Sequence, residues 1–257
     1  MGERLAQGLC LRTLDRLTSR SKVSEVQGAD GGSFLPFVNS RSGQSVGELR
    51  IWMGDGPVKK VVYAGIQATV PGVIDLDSHM IFAFTAPDSA VPHFTLDSVE
   101  RLDLDTHAFH LDFIPRVDIG THMKYIDEVY EPILSHYKAV RSMDGITEAE
   151  LDPRQRAIMS PYMCAYRATP TAYSNLDEHV NAYLDQWFNL LEGGLSDEVL
   201  AEVSDTDLPD RDAKNRGLIF NADVDPVWNN IIPLVGAEAS ELNRINLEKN
   251  ELTEQSA

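Results

Sequence analysis

The pattern of apolar positions changes period along the chain. Over residues 3–20, Leu5, Leu9 and Leu17 recur near helical spacing among Glu, Arg and Gln, which predicts a helix. Residues 27–33, QGADGGS, break it. They lack both the GK[ST] ending of a phosphate loop and the GxGxxG of a dinucleotide fold, so they read as a loop. From 48 to 114 the period shortens to two. Strands are predicted over 48–53, 58–67, 79–84, 93–99 and 107–114. Breakers separate them: GDGP at 54–57, VPG at 70–72, APDSAVP at 86–92 and LDLD at 102–105. Linkers this short favour an antiparallel meander.

Helical spacing returns over 121–140, where Met123, Ile126, Val129, Tyr130, Ile133, Leu134 and Tyr137 form one stripe that Pro132 interrupts. A second helix is predicted over 176–192, with Val180, Tyr183, Leu184, Trp187, Phe188 and Leu191 on one side. Residues 195–216 are acidic and punctuated and read as a solvated connection with one helical turn. A short helix is expected near 225–234. The polar, amide-rich stretch from about 236 reads as a terminal helix or a flexible tail. Strands in the middle and helices at both ends predict an α+β chain of one domain, an α/β/α sandwich with a central antiparallel sheet flanked by helices.

Alternation within the strands sorts their side chains. Met80, Phe82, Phe84, Phe94, Leu96, Phe109, Leu111 and Phe113 would form one apolar slab if the strands are in phase. The opposite face would then gather His79, His93, Asp97, His110 and Asp112. A polar face is commonly just solvated. Here it is rich in His and Asp, which suits acid–base chemistry, and helices at both ends could cover it. A metal site is not expected. His107 and His110 are three apart and point to opposite faces, and neither HExxH nor a facial-triad spacing is present.

Charge narrows the function classes. A formal net charge of −18 repels phosphate backbones and anionic membrane surfaces. No run of ~18 apolar residues is present, so no membrane span is expected. The charged N-terminus is no secretory signal, and Ala6 stands where a myristoylation motif has Ser or Thr. The expected compartment is the cytoplasm. Cys10 and Cys164 make no metal pattern, and a chain this size does not require a disulfide.

The run Val91-Pro92-His93-Phe94-Thr95-Leu96-Asp97, followed by Leu111-Asp112-Phe113-Ile114-Pro115-Arg116, resembles the ferredoxin-dependent bilin reductases, most nearly their red chlorophyll catabolite reductase branch. Ser160-Pro161-Tyr162 and Tyr166-Arg167-Ala168-Thr169-Pro170-Thr171-Ala172 resemble a later segment of that branch, and a helix with Trp187 follows. The likeness covers roughly residues 48–192. It implies a sandwich around an antiparallel sheet and a linear tetrapyrrole held between the sheet and the C-terminal helices. It also implies no bound metal or flavin, reduced ferredoxin as the external electron donor, and a homodimer.

Carried over by position, the resemblance makes Asp97 the proton donor. His79 falls near its partner histidine, with one extra residue in the intervening loop. Asp177 falls one residue from a second acidic position. His93, His110, Asp112 and Arg116 are expected to line or brace the pocket, with Arg116 suited to a substrate carboxylate. A carboxyl desolvated beside an apolar ligand holds its proton nearer neutrality, and a histidine relays it. One departure is the surface charge. Ferredoxins are acidic, and only Arg50, Lys59 and Lys60 offer a basic patch. A redox-neutral lyase or isomerase using the same residues, and a non-catalytic binder, therefore stay open beside a reductase.

Overall fold

The computed structural model describes residues 4–39, 41–70, 74–104 and 106–253. The Met-Gly start, two of the three residues of the expected breaker at 70–72, and Asp105 of the next breaker lie outside them. The strands are β1 (Val23–Val26), β2 (Leu35–Val38), β3 (Ser45–Gly54), β4 (Val58–Val70), β5 (Ile74–Thr85), β6 (His93–Arg101), β7 (Thr106–Ile114), β8 (Ile146–Glu148) and β9 (Cys164–Ala168). They form one nine-stranded sheet in the order β1-β3-β4-β5-β6-β7-β9-β8, with β2 also on β3. Every pairing in it is antiparallel, and β3 to β7 are the expected meander. The short strands β1, β2, β8 and β9 were not expected.

The helices are α1 (Leu5–Arg20), α2 (Met123–Val129), α3 (Leu134–Arg141), α4 (Pro153–Ile158), α5 (Pro170–Tyr173), α6 (Asp177–Gly193), α7 (Asp197–Glu202), α8 (Leu208–Ile219), α9 (Val227–Val235) and α10 (Ala237–Glu248). The helix predicted over 121–140 is split by a 3-10 turn, Glu131–Ile133, that contains Pro132. A proline there cannot donate the helical N–H bond.

One stretch differs from expectation, and another takes the first of its two expected forms. The connection at 195–216 folds as α7 and most of α8, and α8 buries Asp212 and Arg216. The polar tail forms α10, which buries Leu242, Asn243, Asn246 and Leu247. Paired polar groups can be buried, and that is why a hydropathy pattern misses them. Here Arg216 donates to the carbonyls of Leu247 and Lys249, at 2.5 and 2.7 Å from its NH2 group. Lys60 donates to the carbonyls of Asn246, Lys249 and Glu251 at 3.0, 2.9 and 3.2 Å. Two cations thus satisfy the free carbonyls at the C-terminal end of α10.

The sheet has a core on each face. One packs Leu9, Leu17, Tyr125, Val180 and Trp187 of the α1, α2 and α6 layer on Ile81, Phe94, Leu111 and Phe113. The other packs Phe220, Trp228, Val235 and Leu247 of the α8–α10 layer on Ile51, Val62, Phe82 and Phe84. This is the expected α/β/α sandwich. The expected single apolar slab is not present. Met80 pairs with Asp97 and Asp97 with His110, while Ala83 pairs with Phe94 and Phe94 with Phe113. Residues directly opposite one another share a face, so each face is partly apolar and partly polar.

Candidate functional site

Register decides which polar side chains meet. Met80, Asp97 and His110 lie side by side on β5, β6 and β7, facing the α8–α10 layer. They floor a cavity of about 240 Å³ with Phe82 and Val99. Phe220, Asp225 and Trp228 wall it on the helical side, and Gln155, Ile158 and Met159 on the α4 side. His110 Nδ1 lies 3.2 Å from Asp97 Oδ2. Their side chains are 18% and 31% exposed, so the pair is partly accessible.

Three polar atoms of this cavity are buried without a hydrogen-bond partner among the described residues: Asp97 Oδ1, His110 Nε2 and Trp228 Nε1. Buried polar groups are nearly always partnered, so three unpartnered atoms on residues that line one cavity single it out as the candidate site. Burial works against a charge on His110. The hydrogen bond and charge of Asp97, with Asp112 and Asp225 behind, outweigh it and raise the imidazole above its ordinary value. Burial also raises the Asp225 carboxyl, with Asp97 adding to it and the Val227 N–H and His110 opposing. A raised carboxyl and a raised imidazole in one apolar cavity are groups that can hold and deliver protons.

A scan against protein-family models and a search of curated proteins return no match. Among solved structures, the chain is similar to phytochromobilin synthase from tomato in complex with biliverdin, with a TM-score of 0.65 and 15% sequence identity. The likeness covers 96% of this chain and 85% of that one.

The chain shares the fold of that synthase.

The likeness read from short motifs therefore holds at the level of fold. In this fold the predicted site residues scatter. Asp97 and His110 meet in the cavity. The His79 imidazole does not bond to them, although the residue borders the same cavity. It pairs with Ser98 and points to the opposite face, where its Nε2 meets Asp77 Oδ1 at 3.0 Å and its Nδ1 meets the Tyr63 hydroxyl at 2.8 Å. Asp97 therefore has His110 as its partner, not His79. One residue of strand phase is enough to reverse a side chain.

The remaining candidates brace the fold. His93 is fully buried. Its Nδ1 accepts from the Thr85 N–H at 3.0 Å, and its Nε2 lies 2.8 Å from Asp212 Oδ1. Burial, with Arg116 adjacent, pushes it down to about 3, so it stays neutral. Arg116 is not open to a substrate carboxylate, because it donates to Asp212 Oδ1 at 2.7 Å and to the Pro87 carbonyl at 2.8 Å. Asp112 is buried beneath the cavity floor and accepts from the Ser160 N–H and hydroxyl at 2.9 and 2.5 Å. Burial pushes it up to about 6 against those bonds and the nearby His110. Asp177 sits at the start of α6, on the other side of the sheet, and accepts from Arg12 at 2.8 Å.

Asp225 and Trp228 were missed by sequence reasoning. They fall in the short helix expected near 225–234, where nothing signalled a site. The expected basic patch is also absent. Lys60 is buried against α10, and Arg50 donates to Glu25 at 2.7 Å. Among the described residues no group of three or more His, Cys, Asp or Glu is placed to hold a metal ion. No helix there is long and apolar enough to cross a membrane.

Proposed function

We propose that the protein reduces a linear tetrapyrrole or a similarly conjugated small molecule, with Asp97 as proton donor and His110 beside it. The carrying observation is that Asp97 and His110, bonded to one another, and Trp228 line one mainly apolar cavity, each with a polar atom that no described residue partners. A pyrrolic ligand has matching chemistry: an N–H for the free oxygen of the Asp97 carboxyl group, and a carbonyl for the indole and imidazole N–H donors. Reducing one conjugated double bond takes two electrons and two protons. Asp97 supplies one proton and is reloaded across the 3.2 Å contact with His110. Asp225, raised by burial at the same cavity, supplies the other. Single electrons come from reduced ferredoxin, with no bound cofactor. Motif order favours the red chlorophyll catabolite reductase type, a cytoplasmic homodimer.

One observation favours a redox-neutral lyase or isomerase. With Lys60 buried and Arg50 paired, the expected docking patch for an acidic electron donor reduces to Lys59. Absorbance separates the two. The purified protein is titrated with biliverdin, then given reduced ferredoxin without oxygen. A shifted visible band that bleaches only with the donor is the expected result. A band that changes without a donor moves the assignment to isomerisation, and no change on adding biliverdin overturns both.

A further inference from the structure

The chain has seven histidines, and five of them bond to oxygen. His79 meets Asp77, His93 meets Asp212, His107 meets Glu100 and His110 meets Asp97. His122 Nδ1 lies 2.7 Å from the Asp118 carbonyl. The other two meet each other. Nδ1 of His136, on α3, lies 3.1 Å from Nδ1 of His179, in the first turn of α6. Among the described residues neither ring has a second hydrogen-bond partner.

A neutral imidazole carries one N–H and one lone pair. One ring therefore donates across the 3.1 Å contact and the other accepts, and both Nε2 atoms are left to water. The ring planes stand at 67°, so nitrogen edges meet rather than faces. Both residues are half-buried. Their helices are fixed beside them: Ile133 and Val140 flank His136, and Val180 and Tyr183 follow His179, all in one core. The two nitrogens are thus held in place by packing rather than by their own bond, which is the preorganisation a chelating pair needs.

The spacing fits a shared ion. Imidazole nitrogens bind zinc at about 2.0–2.1 Å, so two of them 3.1 Å apart subtend about 95–100° at the metal. That angle lies between the square and tetrahedral values. A small turn of each ring aims both lone pairs at one point, and neither helix has to move. Imidazole pairs favour zinc, copper and nickel over magnesium or calcium, which prefer oxygen. A chain of net charge −18 also attracts cations.

We propose that His136 and His179 form a two-histidine site for a borderline divalent transition metal ion, held by both Nδ1 atoms as a clasp between α3 and α6. The ring that donates in the empty pair changes tautomer, carrying its hydrogen on Nε2, so no net proton is released. Among the described residues no third His, Cys, Asp or Glu completes the set, and water fills the other positions. Structural and catalytic zinc sites have four and three protein ligands, so this one exchanges its ion. It lies with α6, across the sheet from the Asp97 cavity, and is independent of the tetrapyrrole reading.

The test uses the full chain, stripped of metal and free of tetrapyrrole. Copper(II), the tightest binder of the series, is followed by electron paramagnetic resonance, and zinc(II) by thermal melts. Wild type should take one copper ion with coupling to two imidazole nitrogens. Zinc should raise its melting temperature, because the ion binds only the folded pair. His136→Gln and His179→Gln should each weaken copper by ~10²-fold or more, the usual gain from a second linked contact, and abolish the zinc effect. His122→Gln should leave both unchanged. Metal-free melts check that the variants fold. A wild-type copper spectrum with fewer than two nitrogens overturns the site without reference to any variant. Equal copper affinity in wild type and both variants, or a wild-type melt that zinc does not raise, also overturns it.

Discussion

The two faces of the sheet use the same chemistry to opposite ends. Each has an aspartate beside a histidine on the central strands. On the α1 face, Asp77 accepts from His79, from Gln67 at 2.7 Å and from the Gln7 N–H at 3.2 Å. His79 in turn uses its second nitrogen on Tyr63. A Cβ at Gly65 would lie 2.5 Å from the Tyr63 hydroxyl and 2.9 Å from His79 Nδ1, so the glycine keeps room for this chain of bonds. Close by, Glu100 accepts from the Ala6 N–H at 2.8 Å. The carboxylates of Asp77 and Glu100 thus satisfy first-turn donors of α1, which has no side-chain cap of its own. On the α8–α10 face, Asp97 and His110 bond to one another and each keeps an atom unpartnered. A pair whose capacity is used up by the protein is structural. A pair that keeps capacity facing a cavity is available to a ligand.

The largest effect that tests this contrast is Asp97→Asn. The substitution keeps shape and removes the exchangeable acid. Turnover should fall ~10²–10⁴-fold, the usual contribution of a positioned proton donor. The melting temperature and ligand affinity should stay near wild type, because a conjugated ligand is held mostly by apolar contact. A variant that melts early and turns over normally would move Asp97 to the structural class.

His79→Gln should behave in the reverse sense. It removes the imidazole that joins Asp77 to Tyr63 and leaves a buried carboxylate with one partner fewer. That costs about 1–3 kcal/mol of stability, with kcat per folded molecule unchanged. A drop in kcat at unchanged stability would mean that the two faces are coupled across β5.

How much of this was legible in the sequence follows from the same pair. Alternation within each strand put Asp97 and His110 among the candidates, and short linkers predicted the meander. Alternation says nothing about the phase of one strand against the next. His79 therefore looked like a neighbour of Asp97, although Met80 holds that place. The bilin reductase likeness named Asp97 and His79 together, and the register sets their side chains on opposite faces. Asp225 and Trp228 come to the cavity from α9 and the turn before it, through long-range packing with no local signal. Asp212 and Arg216 lay in a stretch that looked solvated, because an ion pair hidden under His93 and Phe84 reads as two surface charges.

A weaker test uses pH. Burial tends to raise Asp77, but the hydrogen bond and proximity of His79, then Gln67 and Arg4, outweigh it and hold the carboxyl below its ordinary value. The unfolded chain therefore takes up this proton at a higher pH than the folded one. Its contribution to stability is fully present above the unfolded value of about 3.9 and is lost as pH falls through the folded one. Acid melts of wild type should steepen there, and Asp77→Asn should flatten that part of the curve. Identical acid slopes would remove Asp77 as a determinant.

The smallest effect belongs to Asp177, which the family likeness placed near a second acidic site. Its side chain is 41% exposed and its Arg12 partner 53%. An exposed pair of this kind contributes about 0–1 kcal/mol. Its position in the first turn of α6 adds a favourable interaction with the helix dipole of about 0.3–1 kcal/mol. Asp177→Asn should therefore lower the melting temperature slightly, and added salt should shrink the difference, since both terms are screened at the surface. Turnover should not change, because the residue stands behind the sheet from the Asp97 cavity. The deciding measurement is kcat beside the melt at low and high salt. A loss of about 10²-fold in rate with an unchanged melt, the signature of a proton donor, would return Asp177 to the mechanism. The division between the two faces would then fail, because chemistry would be running on the side where the Asp77–His79 pair is already satisfied.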